Sequence, residues 1–307
     1  MIMESGNRAP IVVGIDGSSS ANRAAVWAAR EAMARRAPLN LVYAYEWAVD
    51  EGPGRIALRA NARYRDVFLL YAKDRMEEAL EQVRNAVPEV EVTSEVVVGL
   101  PVRLLTERST AASLLVLGSR GLGGVGGLLL GSVAVGLVSH AKCPVVIVRG
   151  DEHQPDVDEV TDEPIDAAAP VVVGIDGSPM SEAALAFAYD AASTYGSPLV
   201  AVHTWQLSAE DSRLVPYIDL DMVRDEEERL LAEQTAGWGD KYPDVSLRRE
   251  VVKGRPAQVL LEHSAGARLL VVGARGRGNA AGFLLGSTSQ ALIHRAGCPV
   301  AVVRPHD

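Results

Sequence analysis

Leu114-Leu115-Val116-Leu117-Gly118-Ser119-Arg120-Gly121, then nine residues, then Gly131-Ser132: the fold turns on this stretch. It occurs again as Leu269-Leu270-Val271-Val272-Gly273-Ala274-Arg275-Gly276, nine residues, and Gly286-Ser287. In each copy a short apolar run reads as a buried strand and the residues after Gly-Ser read as a helix. Glycines between a strand and a helix start let the backbone approach a ligand closely and let N–H groups converge. The helix N-terminus adds partial positive charge, so the arrangement suits a phosphate. The alternative is a set of glycines that only makes a tight turn, and identical spacing in two copies weakens it.

Outward from the loops the whole chain repeats. Ile11-Val12-Val13-Gly14-Ile15-Asp16-Gly17-Ser18 returns as Val171-Val172-Val173-Gly174-Ile175-Asp176-Gly177-Ser178, and Cys143-Pro144 returns as Cys298-Pro299. Gly99-Leu100-Pro101 returns as Gly254-Arg255-Pro256. The offset is 160 residues early in each copy and 155 later, so the second copy is five residues shorter. Each copy alternates strand and helix. The expected elements of the first are strands over 11–15, 39–45, 90–98, 114–117 and 145–148, a helix from Ser18, a long helix over 62–87, a short helix from Pro101 and a helix over 132–140. Ala24, Ala25, Ala28, Ala29 and Ala32 give the first helix a small-residue face for packing on a sheet. Near-continuous apolar strands in such alternation predict an α/β chain with a parallel sheet covered on both faces. The expected domains are 1–149 and 170–307. Residues 150–169 between them carry acidic residues and prolines with little to bury, and they read as a solvated acidic linker, an acidic docking segment being the alternative.

The 307 residues suit two domains of ordinary size. A hydrophobic share of 48% and a charged share of 23% describe a globular chain. A formal net charge of -10 argues against a nucleic-acid partner, which needs a basic face, but allows a small anion held by backbone N–H groups. No signal peptide and no membrane-spanning run is legible, so a cytoplasmic location is expected. Cys143 and Cys298 occupy equivalent places and read as small buried residues rather than a disulfide or a metal site.

Asp16 and Asp176 end strand one of each copy. Ligands of open doubly wound sheets bind beyond the carboxyl ends of the strands, where the strand order reverses. There an Asp could take hydrogen bonds from a sugar or base or help to hold a metal on phosphates, or it could simply fix its own Gly-Ser turn. Gly121-Leu122-Gly123-Gly124-Val125-Gly126 matches the dinucleotide fingerprint in letters, but it follows strand four and lacks the acidic residue about 20 positions on. The Walker lysine is missing from both loops. Arg120 and Arg275 could meet a phosphate or be solvated loop charges. His203, at the end of strand two of the second copy, is placed near the crevice with no visible partner for acid–base work. The four tryptophans read as packing residues.

Together these residues resemble the universal stress protein family in its tandem, ATP-binding, actinobacterial form. The resemblance spans nearly the whole chain except the linker and the segment after strand two. It implies two tandem doubly wound domains, each a five-stranded parallel sheet in the order 3-2-1-4-5 with helices on both faces. It also implies one ATP per domain, with Mg2+ allowed on the phosphates. Carried over by motif, Asp16 and Asp176 meet the ribose or adenine side. Gly118, Gly121, Gly131 and Ser132 hold phosphates, as do Gly273, Gly276, Gly286 and Ser287. Gly14, Ala44, Arg120, Gly123, Gly124 and Val133 complete the first set, and Gly174, Thr204, Arg275, Gly278 and Thr288 the second. Ala44 and Thr204 stand where valine is common and meet the adenine mainly through backbone.

The function so implied is a nucleotide-dependent regulator of stress response, dormancy or growth. It would form a homodimer through the apolar strand-five edges and act on a regulatory protein partner, with no nucleic acid or membrane partner. A slow ATPase or nucleotidyl transferase is the alternative. It lacks the Walker lysine, the His-x-Gly-His of the related transferases and a visible acid–base pair, so weak hydrolysis at most is expected. Gly118→Ala and Gly273→Ala are expected to weaken one site each by crowding a phosphate.

Overall fold

The computed structural model describes residues 8–46, 62–121, 130–149, 168–207, 219–276 and 285–305. The chain divides into two compact units, residues 1–160 and 161–307. Residues 150–167 of the expected linker, and Trp47, lie outside the described residues.

In the first unit β1 (Ile11–Ile15) is followed by α1 (Ser19–Arg35), β2 (Leu39–Tyr45), α2 (Ala62–Ala86), β3 (Val92–Val98) and α3 (Pro101–Ser109). Then come β4 (Leu114–Gly118), α4 (Ser132–His140) and β5 (Val145–Val148). The strands lie in the order β3-β2-β1-β4-β5, every pairing parallel. Ile11 stands beside both Leu39 of β2 and Leu114 of β4. β1 therefore has neighbours reached by opposite crossovers, and a crevice opens beyond its carboxyl end. The second unit repeats the frame. β6 (Val171–Ile175), α5 (Pro179–Tyr195), β7 (Leu199–Trp205), α6 (Leu220–Gln234) and the short α7 (Trp238–Lys241) come first. β8 (Leu247–Lys253), α8 (Pro256–Ser264), β9 (Leu269–Gly273), α9 (Ser287–Arg295) and β10 (Val300–Val303) complete it. Its strand order is β8-β7-β6-β9-β10, again all parallel.

The expected α/β architecture and strand order are what the structure shows, with small shifts at element ends. β3 begins at Val92 rather than Val90, because Val90 N–H is taken by Val87 O (3.2 Å) in the turn that ends α2. β4 runs one residue further, to Gly118. The sequence reading contained no α7. It forms where Trp238 stacks on Tyr189 with ring centroids 5.3 Å apart and Tyr242 joins the stack at 5.5 Å from Tyr189. Such stacked pairs add to the area they bury.

Local chemistry explains why these residues take these forms. The residues of β1, β4 and β5 are almost all buried, as their unbroken apolar runs require. Ser18 caps α1, its Oγ accepting from Ala21 N–H at 3.1 Å, and Ala24, Ala25, Ala28, Ala29 and Ala32 form its buried face. Ser178 caps α5 in the same way, with Pro179 as the first helical residue. The two helices end differently. Gly196 takes the left-handed conformation after α5 (φ 63°), while Arg36 must take it after α1 (φ 52°). Cys143 and Cys298 are buried, and burial pushes each thiol up to about 12. They are structural residues, as expected.

Candidate functional site

The polar end of the first unit's crevice is built from three backbone segments. The turn after β1 supplies Asp16, whose Oδ1 accepts from Ser18 N–H at 3.0 Å. Ser18 Oγ reaches across and donates to Arg120 O at 3.1 Å, tying the β1–α1 turn to the loop after β4. Gly131 N–H donates to Ser119 O at 3.0 Å, closing that loop against the start of α4. The second unit repeats the construction with Ser178 N–H to Asp176 Oδ1 at 3.0 Å and Gly286 N–H to Ala274 O at 2.8 Å. α4 and α9 each begin at a glycine cap with no side-chain cap bond, so their first-turn N–H groups face the crevice.

The glycines have separate reasons. A side chain at Gly121 would run into Asp16 Oδ2, and one at Gly276 into Asp176 Oδ2. Loop and carboxylate therefore hold each other in place. A Cβ at Gly118 would lie 2.6 Å from Ser20 C and 2.8 Å from Ala21 N. That corrects the expectation for Gly118→Ala: α1, packed on β4, excludes the side chain before any phosphate does. Gly273 is likewise pressed by Met180, with Cβ at 2.8 Å and C at 3.0 Å. Gly131 differs. A Cβ there meets only Gly121 N at 3.8 Å and Ser119 O at 4.0 Å, so it would project into the cradle between loop and helix.

These segments enclose a cavity of about 400 Å³ in the first unit and about 300 Å³ in the second, at the low end of the roughly 300–1,000 Å³ usual for small-molecule sites. One end is polar backbone, the loop and the helix N-terminus. The other is an apolar slot made in the first unit by Val42, Ala44, Pro101 and Leu105, and in the second by Val202, Thr204, Pro256 and Leu260.

A family model described as the universal stress protein family matches residues 7–149 and 169–304. The chain belongs to that family, in its tandem form. The universal stress protein Rv2005c of Mycobacterium tuberculosis is 41% identical over 304 residues, covering 96% of each chain. Rv2623 of the same species is 40% identical over 309 residues, 98% of this chain and 99% of its own. Among solved structures, a universal stress protein from Archaeoglobus fulgidus superposes with a TM-score of 0.65 at 20% identity, covering 96% of this chain and 98% of that one, which bears on the fold alone.

Within this universal stress protein the family-derived candidates come together. Gly14, Asp16, Ala44, Gly118, Arg120, Gly121, Gly131, Ser132 and Val133 all line the first cavity. Gly174, Asp176, Thr204, Gly273, Arg275, Gly276, Gly286, Ser287 and Thr288 line the second. Gly123, Gly124 and Gly278 lie outside the described residues. The turn role of Asp16 and Asp176 and their place in the cavity wall coexist: one oxygen fixes the Gly-Ser turn while the carboxylate also faces the loop.

His203 is corrected. It does not line the cavity; successive strand residues alternate faces, and Val202 and Thr204 take the cavity side. His203 is buried on the other face, its Nδ1 donating to Ile175 O (2.8 Å) and its Nε2 2.7 Å from Glu227 Oε2 of α6. It does have a partner, in a structural tie between α6 and the end of β6. Tyr43 holds the equivalent place in the first unit, its phenol pushed up by burial and then by Tyr71 and Asp16.

Sequence reasoning missed Pro101 and Pro256 as slot residues, although both stood in the repeated Gly-x-Pro. It also missed Arg304. The bond from Ala274 N–H to Val303 O (2.9 Å) sets Arg304 beside the loop, and burial, then the charge of Arg275, lowers its guanidinium below the usual range. A basic residue directly after the last strand of each copy, Arg149 and Arg304, was the available signal. Among the described residues no group of three His, Cys, Asp or Glu could hold a metal ion, and no helix is long and apolar enough to cross a membrane.

Proposed function

We propose that this chain is a nucleotide-dependent regulator that binds one ATP in each half and turns it over slowly or not at all. The observation that carries this reading is the two-ended cavity. An uncapped helix N-terminus and a glycine loop form an anion cradle at one end, and an apolar slot of base-sized reach forms the other. Asp16 and Asp176 line the two cavities, and in this reading they meet the ribose or adenine side. In the second half the neighbouring guanidiniums of Arg275 and Arg304 repel each other, and a phosphate at the loop offsets that repulsion. Mg2+ would ride on the phosphates, since the described residues offer no dedicated cluster. With no lysine at the cradle, turnover is expected far below the enzyme median of about 10 per second. The proposal extends to a cytoplasmic location, a regulatory protein partner and a dimer of chains, with the apolar strands Val145–Val148 and Val300–Val303 each pairing with another such strand, within the chain or between chains, since such an edge needs covering. Lys at Val146 and Val302 should lower the mass in sedimentation.

Calorimetric titration of ATP into nucleotide-stripped protein tests the central reading, with two sites per chain expected. Gly131→Ala puts a methyl into the cradle without a protein clash, and it should weaken the first site roughly 10- to 150-fold, the effect of losing a charge-assisted hydrogen bond. Gly286→Ala should do the same to the second. A single site in the parent would remove one half from the proposal, and unchanged binding in both folded variants would sink it.

A further inference from the structure

The two cavities share a frame but not a surface. Where the first has Ala21, Ala44, Val133 and Ala134, the second has Ser181, Thr204, Thr288 and Ser289: four hydroxyls for four apolar side chains. Two of the hydroxyls are already spent. Ser181 Oγ donates to Ser178 O at 2.9 Å and Ser289 Oγ to Gly273 O at 2.7 Å. Among the described residues no protein hydrogen bond takes the other two, those of Thr204 and Thr288. They sit at opposite ends of the cavity. Thr288 is in the first turn of α9, at the anion end, where it meets groups that every nucleotide has. Thr204 is half-buried in the apolar slot between Val202, Pro256 and Leu260.

Resting on the ATP-binding reading above, we infer that the two halves are unequal nucleotide sites and that Thr204 makes the second the selective one, reading the polar edge of the base by a side-chain hydrogen bond. The first half, with Ala44 at that place, holds the base by shape and backbone. A hydroxyl in an apolar slot is satisfied by water while the site is empty. A ligand whose edge bears a donor or acceptor replaces that water, whereas a ligand with a hydrocarbon edge leaves the hydroxyl dry and unpaired. A site built around such a group rejects the ligand that lacks the partner, and a purely apolar slot discriminates far less.

The test compares ATP with benzimidazole riboside triphosphate, which keeps the two-ring shape and the phosphates but has no polar group on its six-membered ring. Each site is read alone by titration, the second in the Gly131→Ala protein and the first in the Gly286→Ala protein. The preference for ATP over the analogue should be about three- to tenfold larger at the second site than at the first. Thr204→Val, which keeps the shape and removes the hydroxyl, should erase the excess, and Ala44→Thr should create it in the first half. Equal preferences at the two sites, or an excess that survives Thr204→Val, overturn the inference while leaving ATP binding intact. A parent that takes up neither nucleotide overturns both this inference and the reading on which it rests.

Discussion

Arg108 in the first half and His263 in the second stand at the same place in the repeat, and each bonds the matching glutamate of its edge strand. Arg108 Nη2 lies 2.8 Å from Glu95 Oε2, and His263 Nε2 lies 2.8 Å from Glu250 Oε2. The frame fixes where a bridge from α3 to β3, or from α8 to β8, must run, but it leaves open which cation makes it. An arginine bridge is indifferent to any pH the protein meets. A histidine bridge titrates. The slots differ in the same way, with Ala44 in the first and Thr204 in the second at equivalent positions of the repeat. The repeat keeps one order of elements and strands in both halves, while the side chains set on it differ.

The largest effect that probes this comparison lies at the tightest glycines. Gly118→Ala would force a methyl against backbone atoms of α1 that no rotamer can move, so the first half should lose about 2–3 kcal/mol. Gly273→Ala presses on Met180 from slightly further away and should cost the second half about 1–2 kcal/mol. Urea unfolding followed separately in the two halves measures this, and equal losses would show that the closer packing of the first half has no energetic weight. A smaller effect of opposite sign is expected at the end of the first helix. Arg36 holds a left-handed conformation that Gly196 holds without strain. Arg36→Gly should therefore stabilise the first half by up to about 1 kcal/mol, and Gly196→Ala should destabilise the second by a similar amount. A fall in the urea midpoint of Arg36→Gly would contradict this.

The smallest effect is the pH dependence of the two bridges. Burial and the charge of Arg248, which also pairs with Glu250 at 2.7 Å, pull the His263 imidazole down, but the Glu250 hydrogen bond, the Val259 carbonyl and the Glu250 charge together lift it, for a net rise above its ordinary value. A group whose pKa is raised on folding binds its proton more tightly in the native state. Its contribution is full below the unfolded value of about 6.5 and is lost as pH climbs through the folded value. The second half should therefore lose up to about 1 kcal/mol on going from slightly acid to slightly alkaline solution, and the first half should not. His263→Arg should flatten the profile of the second half and Arg108→His should bend that of the first. Parallel profiles in the parent would remove the bridges from the account.

Much of this was legible in the sequence because repetition made weak signals strong. The doubled Gly-Ile-Asp-Gly-Ser and the doubled glycine loop placed both crevices, and the apolar strand runs placed the sheet. The errors lie where meaning depends on a third dimension. The direction of His203 was available from strand alternation, since Thr204 next to it faces the cavity, but its bond to Glu227 spans 24 residues and two elements. The reason for Gly118 could not be read at all. It depends on how closely α1 packs on β4, and a glycine beside a phosphate and a glycine beside a helix look alike in one dimension. α7 escaped because it is only four residues long, and its place is set by ring stacking on Tyr189, which lies far from it in the chain.

Cys143 and Cys298 give each half a clock. Alkylation needs a thiolate and a path to it, and the folded protein denies both: the sulfurs are buried and burial pushes each thiol up to about 12. A reagent can therefore mark a cysteine only during the moments when its own half opens. Timed alkylation followed by peptide mass spectrometry would count those openings half by half, with no substitution needed to install a probe. The rates with and without ATP would then show, half by half, whether the proposed ligand slows those openings.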